Sequence, residues 1–444
     1  MPLQHRCCAA PTRARPARMP ITLRQSLREE IAMGAAAGMP PLTGLRVLDF
    51  TRVIAGPYLT MMLADLGCEV IKVESPAHGD DTRVHQPPGK GGEAAIFMGL
   101  NRHKRSVVLD MARPEGRDLA RRLALECDVL VENFRPGAMQ RLGLDYAALR
   151  EAHPELIYCS ISGYGHHSRF SDIPGYDPIA QAETGLMYMT GDASMPPIRS
   201  GGSVIDVLTG MHAGMGILAA LHARAQTGQG QFVDLSLYDT ALSSLGFIMQ
   251  GPLLTGRNPQ RLGNTSFFMA PNGVYSCADG DVMISAGNNR LFARLCEGLG
   301  LPEMPNDPRF NSNAARLTNL EAMNALLSAR LGQKPREEWV VKLRQVGVPI
   351  GAVRTPLEAL SAVETEASGM LHEVRHPAAG TMRTVGNAIH LSDTPLRAPA
   401  PAPLLDQHTD GVLRDVLGLE PEEIVRLRQE GTIGPARQPA AAEA

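Results

Sequence analysis

Residues 45–73, LRVLDFTRVIAGPYLTMMLADLGCEVIKV, contain the repeating unit on which the fold prediction rests. Residues 45–50 form an apolar run typical of a buried strand, and residues 69–73 form a second one. Between them, residues 58–66 have the apolar spacing of a helix, which Gly67 is placed to end. The pattern predicts a βαβ unit, in which two parallel strands flank a helix.

The same alternation continues downstream. Strands are predicted at 106–109, 129–131 and 156–162, with helices at 114–126 and 138–152 between them. Alternating strands and helices imply a parallel sheet that is covered on both faces and binds ligands at the carboxyl ends of its strands. We therefore predict an α/β fold with a large Rossmann-like domain. Its first turn lacks the GxGxxG fingerprint, which argues against a nicotinamide or flavin dinucleotide.

A second, smaller α+β domain is predicted where a short hairpin followed by amphipathic helices replaces this pattern. The leader is rich in arginine and poor in acids, so it is either a mitochondrial transit peptide or a disordered, over-long N-terminus. The predicted organisation is 1–39 as this N-terminal extension, 40–255 as the large domain, 263–365 as the small domain, 366–430 as a return to the large domain, and 431–444 as a disordered tail.

Composition excludes several functional classes. The 444 residues carry a net charge of −3, which provides no general attraction to nucleic acid or to an anionic membrane. The longest apolar stretch, 207–221, is interrupted by His212 and glycines and is predicted not to span a membrane. Seven cysteines without a CxxC pair are typical of free thiols, so we predict a cytoplasmic protein. No residue cluster has metal-ligand spacing, and no metal is expected.

Asp206 lies at the start of a predicted long helix, three residues after the segment Ser200-Gly201-Gly202-Ser203. One interpretation is a helix cap, whose carboxylate accepts backbone N–H bonds. The other is a nucleophile that the glycines leave accessible and that the helix N-terminus keeps ionised at neutral pH. Asp177 precedes Pro178 and has the same two interpretations.

Cationic residues cluster at two places, in 101–105 (NRHKR) before one strand and in 133–137 (NFRPG) with Arg141 after another. A solvated surface is one interpretation of such charges. The other is an anionic nucleotide bound at the strand ends, with Phe134 stacked on its purine. A site of this kind suits coenzyme A better than a dinucleotide.

Taken in order, these motifs make the chain resemble the class III CoA-transferases, the family that includes formyl-CoA and carnitine CoA-transferases. The resemblance extends over about residues 41–430. Its main segments are 42–51 (LTGLRVLDFT), 64–67 (ADLG), 131–137 (VENFRPG), 175–177 (GYD), 307–310 (DPRF) and 347–349 (GVP).

The resemblance implies that Asp206 is the nucleophile and that Tyr176 and Asp177 position the thioester and the acceptor. It also implies a homodimer of two interlocked subunits and a coenzyme A thioester as substrate, with no permanently bound cofactor. The coenzyme A contacts that it implies are Ile54, Ala55, Asn133, Phe134, Arg135, Arg141, Gly175, Tyr176 and Asp177.

The implied reaction moves coenzyme A from an acyl-CoA to a carboxylic acid through an aspartyl anhydride and an aspartyl-CoA thioester. Formyl-CoA transferases have glutamine and arginine where this chain has Ile54 and Ser75, which argues against formyl-CoA and oxalate as substrates. Their tetraglycine loop is absent from the corresponding residues 263–268. Succinyl-CoA or another short dicarboxylic donor is expected, and Arg199 either pairs with its distal carboxylate or lies on the surface.

Two alternatives remain. α-Methylacyl-CoA racemases resemble this chain but have histidine where it has Tyr176, and a tyrosine with an ordinary pKa near 10 is a poor base for an α-proton. A non-catalytic acyl-CoA binding protein would keep the cationic residues but would have no use for Asp206.

Overall fold

A six-stranded parallel sheet organises the larger part of the molecule. The computed structural model describes residues 38–436 except residues 86 and 267. The elements up to the end of the fifth strand of this sheet are β1 (Arg46–Asp49), α1 (Ala55–Asp65), β2 (Glu69–Glu74), β3 (Gly89–Lys90), β4 (Glu93–Ala94), α2 (Ala95–Leu100), β5 (Lys104–Val108), α3 (Pro114–Leu125), β6 (Val129–Glu132), α4 (Ala138–Leu142), α5 (Tyr146–Arg150) and β7 (Ile157–Ser162).

The next segment supplies the sixth strand and the longest helix. Its elements are α6 (Asp177–Glu183), α7 (Leu186–Met189), α8 (Val204–Thr227), β8 (Phe232–Ser236), α9 (Leu237–Ser244) and α10 (Gly246–Thr255). The strand order is β5-β2-β1-β6-β7-β8, all parallel. Because the chain winds first to one side of β1 and then to the other, the switch point of the sheet lies between β1 and β6, where open α/β sheets bind ligands. The predicted parallel α/β fold is confirmed.

Alternation along the strands gives the sheet two buried faces. Leu48 and its neighbours pack against α3 and the C-terminal helices, whereas Val47 and its neighbours pack against α1 and α8. The helical pattern predicted over 138–152 was wrong in one respect, because it is two short helices. Gly143 ends the first in the left-handed conformation (φ 69°), and the Asp145 side chain caps the second.

A three-stranded antiparallel sheet forms the smaller unit with its helices. Its strands, in spatial order, are β11 (Ile350–Ala352), β10 (Asp281–Ser285) and β9 (Asn272–Ser276). Trp339, Phe292 and Phe310 lie in its own hydrophobic core. The remaining elements are β9 (Asn272–Ser276), β10 (Asp281–Ser285), α11 (Asn289–Leu299), α12 (Asn313–Thr318), α13 (Leu320–Leu331), α14 (Arg336–Gln345), β11 (Ile350–Ala352), α15 (Pro356–Leu360), α16 (Val363–Ser368), β12 (Leu371–His376), β13 (Gly380–Val385), α17 (Thr409–Leu417) and α18 (Pro421–Gln429).

The C-terminus packs further than the sequence indicated. Helices α17 and α18 lie on the large sheet, and the hairpin of β12 and β13 had no counterpart in the sequence-based prediction. The predicted tail begins too early, since Thr432 and Ile433 are buried and Ile433 pairs with Leu109. The leader up to residue 37 and the tail from residue 437 lie outside the described residues.

Helix α8 corrects the sequence-based view of stretch 207–221. The helix has 24 residues and is long and apolar enough to span a membrane by length and composition, although a third of its most apolar window is buried in the protein. Its buried residues, including Ala213 and Ile217, join the core under the sheet. Met211 and Met215 on another side are exposed. The apolar pattern therefore serves the core on one side and remains uncovered on the other.

Candidate active site

A cavity of about 420 Å³ opens at the carboxyl ends of β1, β6 and β7, at the switch point of the sheet. Segments that are far apart in the chain meet there. The predicted site residues that line it are Ile54, Ala55, Asn133, Phe134, Arg135, Arg141, Gly175, Tyr176 and Asp206. Asp177 is the one predicted site residue that does not line it.

Asp206 lies in the first turn of α8 and faces this cavity. It does not cap the helix. Asp177 does so from a separate segment, because its Oδ2 accepts the backbone N–H of Ile205 at 2.7 Å and that of Asp206 at 3.3 Å. Among the residues that the structure describes, no hydrogen-bond donor contacts the Asp206 carboxylate. The roles of cap and cavity-facing acid, which the sequence left as alternatives for one residue, are divided between two carboxylates.

The protonation of Asp206 differs from the prediction. Burial, together with the negative charge of Asp177, raises the pKa of Asp206 to about 7. The expectation of a fully ionised carboxylate at neutral pH was therefore wrong, because these two effects outweigh the favourable helix N-terminus. Because this environment disfavours the charged carboxylate of Asp206, it favours uncharged, acylated forms of the same side chain. When the carboxylate is ionised, its poor solvation makes it a stronger nucleophile.

Asp177 acts behind the cavity wall. Its Oδ1 accepts a hydrogen bond from Gln181 Nε2 at 2.5 Å, and Gln181 Oε1 accepts the backbone N–H of Ser200 at 2.9 Å. Both carboxylate oxygens are thus engaged in holding residues 200–206, the approach to α8. A direct contact of Asp177 with substrate stays a prediction.

Two further residues of the cavity, Arg52 and Asp81, escaped the sequence analysis. The Arg52 guanidinium lies 3.3 Å from Asp81 Oδ2 and stacks on the Phe134 ring, 5.0 Å from its centroid. Asn133 binds the backbone of Arg52 twice, through its Oδ1 and its Nδ2. A signal was available, since Arg52 lies in the turn between the first predicted strand and the first predicted helix.

The two cationic clusters have different fates. Arg135 and Arg141 are exposed residues that line the cavity, and with Arg52 they make its rim positive. The cluster 101–105 spans the residues before β5 and its first two residues, and it does not line the cavity, so the nucleotide interpretation does not hold for it. Its charges form ion pairs within the fold, Arg102 with Asp65 and Lys104 with Asp49.

Arg199 and the described residues of 263–268, which the sequence analysis discussed in relation to the substrate, lie outside the cavity. Arg199 is exposed. Within the described part of the chain, no group of three or more His, Cys, Asp or Glu residues could hold a metal ion.

Comparisons with known proteins agree on one family. The family model described as CoA-transferase family III matches residues 42–409. Succinyl-CoA:glutarate CoA-transferase of Mus musculus is 37% identical over 395 residues, 89% of this chain and 91% of that protein. Acetyl-CoA:oxalate CoA-transferase of Acetobacter aceti is 39% identical over 370 residues, 83% and 93% of the two chains. The crystal structure of a CAIB/BAIF family protein from Brucella suis matches with a TM-score of 0.79 at 37% identity, covering 85% of this chain and all of that one.

Proposed function

The chain belongs to CoA-transferase family III, and from this premise we propose that it transfers coenzyme A from succinyl-CoA to a dicarboxylic acid such as glutarate. The observation that carries the proposal is the Asp206 carboxylate, which is partly buried, does not cap α8, and faces a cavity with a cationic rim. The donor and acceptor are those in the name of the mouse relative. The acid in the name of the Acetobacter relative, oxalate, is also dicarboxylic.

The proposed first half-reaction uses Asp206 as the nucleophile. A carboxylate oxygen attacks the thioester carbonyl, the C–S bond breaks, and a mixed anhydride and coenzyme A thiolate form. The thiolate then attacks the Asp206 carbonyl carbon and releases succinate. The product is an aspartyl-CoA thioester, and the acyl energy of the donor is conserved.

The second half-reaction reverses these steps with the acceptor. An acceptor carboxylate attacks the aspartyl thioester, which gives a second anhydride and the thiolate. The thiolate attacks the acceptor's acyl carbon, and the Asp206 carboxylate is set free. No redox step is involved, and no net proton is exchanged.

The surroundings support this course. Arg52, Arg135 and Arg141 offer charge-assisted hydrogen bonds to the phosphates of coenzyme A. Ile54 and Ala55 line the cavity at the start of α1, where backbone N–H groups have no partner within the helix. Such donors stabilise developing oxyanions, each by about 3 kcal/mol in other acyl-transfer sites.

A panel assay tests the substrates. The purified protein is incubated with succinyl-CoA and with glutarate, oxalate or acetate, and new acyl-CoA is measured by chromatography; we expect glutaryl-CoA to form fastest. Oxalate belongs in the panel because the Acetobacter relative is named for it, whereas Ile54 and Ser75 argue against it. Hydroxylamine trapping maps the acylated residue, and deuterium exchange at the α-carbon of an α-methylacyl-CoA would reveal a racemase instead. Turnover without modification at Asp206 would contradict the proposed mechanism.

The exposed apolar surface of α8 to α10 supports a homodimer. In α10 the side chains of Phe247, Leu253 and Leu254 are 82%, 78% and 76% exposed, and Met215 of α8 is also exposed. We infer that a second copy of the chain covers them, in the interlocked arrangement that the resemblance implies. Light scattering is expected to give twice the chain mass without detergent, while a membrane-bound protein would need detergent to remain in solution.

We also propose that the protein is cytoplasmic. Four of the free cysteines, Cys68, Cys127, Cys159 and Cys296, are buried in the described structure. Buried free thiols are typical of proteins in reducing compartments. Imaging of the full chain against that of a chain starting at Met39 tests this location against the mitochondrial alternative.

A further inference from the structure

The turn between β1 and α1, residues 51–54, is held by side chains from the end of β1, from β2 and the residues after it, and from the residue after β6. Asp49 Oδ1 accepts the N–H of Thr51 at 2.8 Å, and Lys72 Nζ donates to the Thr51 carbonyl at 2.7 Å. Both backbone groups of Arg52 are bound by the Asn133 amide. The N–H and carbonyl groups of Thr51 and of Arg52 are thus all bound by side chains, and the N–H of Val53 is a fifth group bound in this way.

The fifth group involves a strained residue. Val53 has φ 71°, the left-handed region that a β-branched residue seldom adopts. Its N–H donates to Asp80 Oδ1 at 3.2 Å, while Asp80 Oδ2 lies 2.9 Å from Lys72 Nζ. The side chains of Lys72 and Asp80 have no solvent exposure. One buried ion pair thus binds the peptide groups on both sides of Arg52.

This turn is also a wall of the active-site cavity, because Arg52, Val53, Ile54 and Ala55 all line it. A change of φ at Val53 would move the start of α1 relative to Asp206. This inference rests on the proposed transfer at Asp206. In that reaction the thioester must contact the start of α1 and the Asp206 carboxylate at the same time.

We propose that Lys72 and Asp80 are positioning residues for CoA transfer, which hold Val53 in the left-handed conformation and so set the cavity-facing backbone of residues 53–55. Neither side chain lines the cavity. The pair therefore acts through the turn and not on the substrate.

A purely structural role for the pair would give a different result from a positioning role in a double-mutant test. Asp80→Asn removes the charge that binds Lys72, and we expect kcat/KM for CoA transfer to fall at least about tenfold because the turn relaxes at Val53. Val53→Gly provides the reference kcat/KM for the double variant, since glycine adopts a positive φ without strain and any effect of losing the valine side chain is then common to both. Combined with Asp80→Asn, it is expected to restore kcat/KM to within about threefold of the Val53→Gly value.

Asp65→Asn is the matched control. It neutralises another buried carboxylate, which is paired with Arg102 at the far end of α1 and away from the cavity. We expect a loss of melting temperature similar to that of Asp80→Asn with unchanged kcat/KM. A double variant no more active than Asp80→Asn, or an Asp80→Asn enzyme with wild-type kcat/KM, would overturn the inference.

Two provisions keep the test decisive. If Asp80→Asn does not fold, Val53→Gly is compared with Val53→Pro, which forbids a positive φ and also removes the N–H that donates to Asp80; equal activity of these two would overturn the inference. If the wild type does not use succinyl-CoA and glutarate, the substrate proposal fails by itself. The affinity for coenzyme A, measured by calorimetry on the same variants, then decides the positioning role by the same pattern of loss and rescue.

Discussion

Two regions that face the same cavity use buried carboxylates in opposite ways. At the turn after β1, Asp80 lies beside the Lys72 ammonium. Burial alone would raise the pKa of Asp80, but the charge of Lys72 and the hydrogen bonds from Thr82 lower it to about 2. At the start of α8, burial and the like charge of Asp177 raise the pKa of Asp206 to about 7. Compensated carboxylates hold backbone in place, whereas the uncompensated one is available for chemistry.

The largest effect is expected from replacing Asp206, the carboxylate with the raised pKa. Asp206→Asn removes the nucleophile, and we expect the rate of CoA transfer to fall at least about 10³-fold. The same change is expected to raise the melting temperature. An acid with a raised folded pKa destabilises the fold increasingly as pH rises from the unfolded pKa near 4 to about 7, and the amide carries no such penalty.

The control is Asp192→Asn in a solvent-exposed loop outside the cavity, which is expected to change neither quantity. Thermal scans at pH 4 and pH 7 check the sign, since the stabilisation by Asp206→Asn should be near zero at pH 4 and present at pH 7. Transfer that persists near the wild-type rate would refute the role of Asp206, provided that mass spectrometry excludes deamidation of the new side chain.

The next effect is a shift along the pH axis. Because Asp206 reacts as the carboxylate, kcat/KM is expected to fall about tenfold for each pH unit below a pKa of about 7. Asp177→Asn keeps an oxygen that can cap α8 but removes the charge, so this acid limb should move to lower pH. Asp177→Ala also removes the cap, at a cost of about 1–2 kcal/mol of stability.

Profiles of kcat/KM from pH 5 to pH 9 for wild type and both Asp177 variants make the comparison. An acid limb that stays in place in Asp177→Asn would show that burial alone raises the pKa of Asp206. A stability loss in Asp177→Asn equal to that in Asp177→Ala would argue against the capping role.

The smallest effect concerns the cationic rim that both regions share. Arg141→Ala is expected to raise KM for acyl-CoA by about three- to tenfold with little change in kcat, since an exposed arginine contributes modest, salt-dependent binding to a phosphate. The difference should shrink at high salt. Arg375→Ala on β12, an exposed arginine away from the cavity, is the control, and an equal effect in both variants would refute a phosphate site at Arg141.

Sequence reasoning recovered most of the fold because apolar periodicity is local. Strands β2 and β6 extend one residue beyond the ends predicted for them, and α3 ends one residue before its predicted end. The errors lie where single residues outweigh periodicity, as at Gly143, or where short strands are only half-buried, as in the hairpin of β12 and β13. Nine of the ten predicted site residues line one cavity, and eight of these nine follow β6 or lie at the start of a helix at one edge of the sheet, whereas Arg141 lies in the last turn of α4. Their roles stay predictions.

The electrostatics were not recoverable in this way. Lys72 appears in the sequence as one charge in an apolar strand, and the positioning role that we propose for it rests on its fully buried contact with Asp80. Arg102 and Lys104 resemble phosphate ligands in the sequence but are paired with Asp65 and Asp49 in the fold. The distances between such partners depend on how separate segments pack.

The sequence by itself determined the alternation of strands and helices in the large sheet, the edge of that sheet at which the motifs meet, and the acid in the first turn of the longest helix. These follow from patterns in which each residue interacts with neighbours two to four positions away. The tertiary structure alone decided which carboxylate caps that helix, which one is desolvated, and which backbone turn is held in a strained conformation. Desolvation and charge pairing depend on atoms that the chain brings together across tens to hundreds of residues, and no local pattern records those distances.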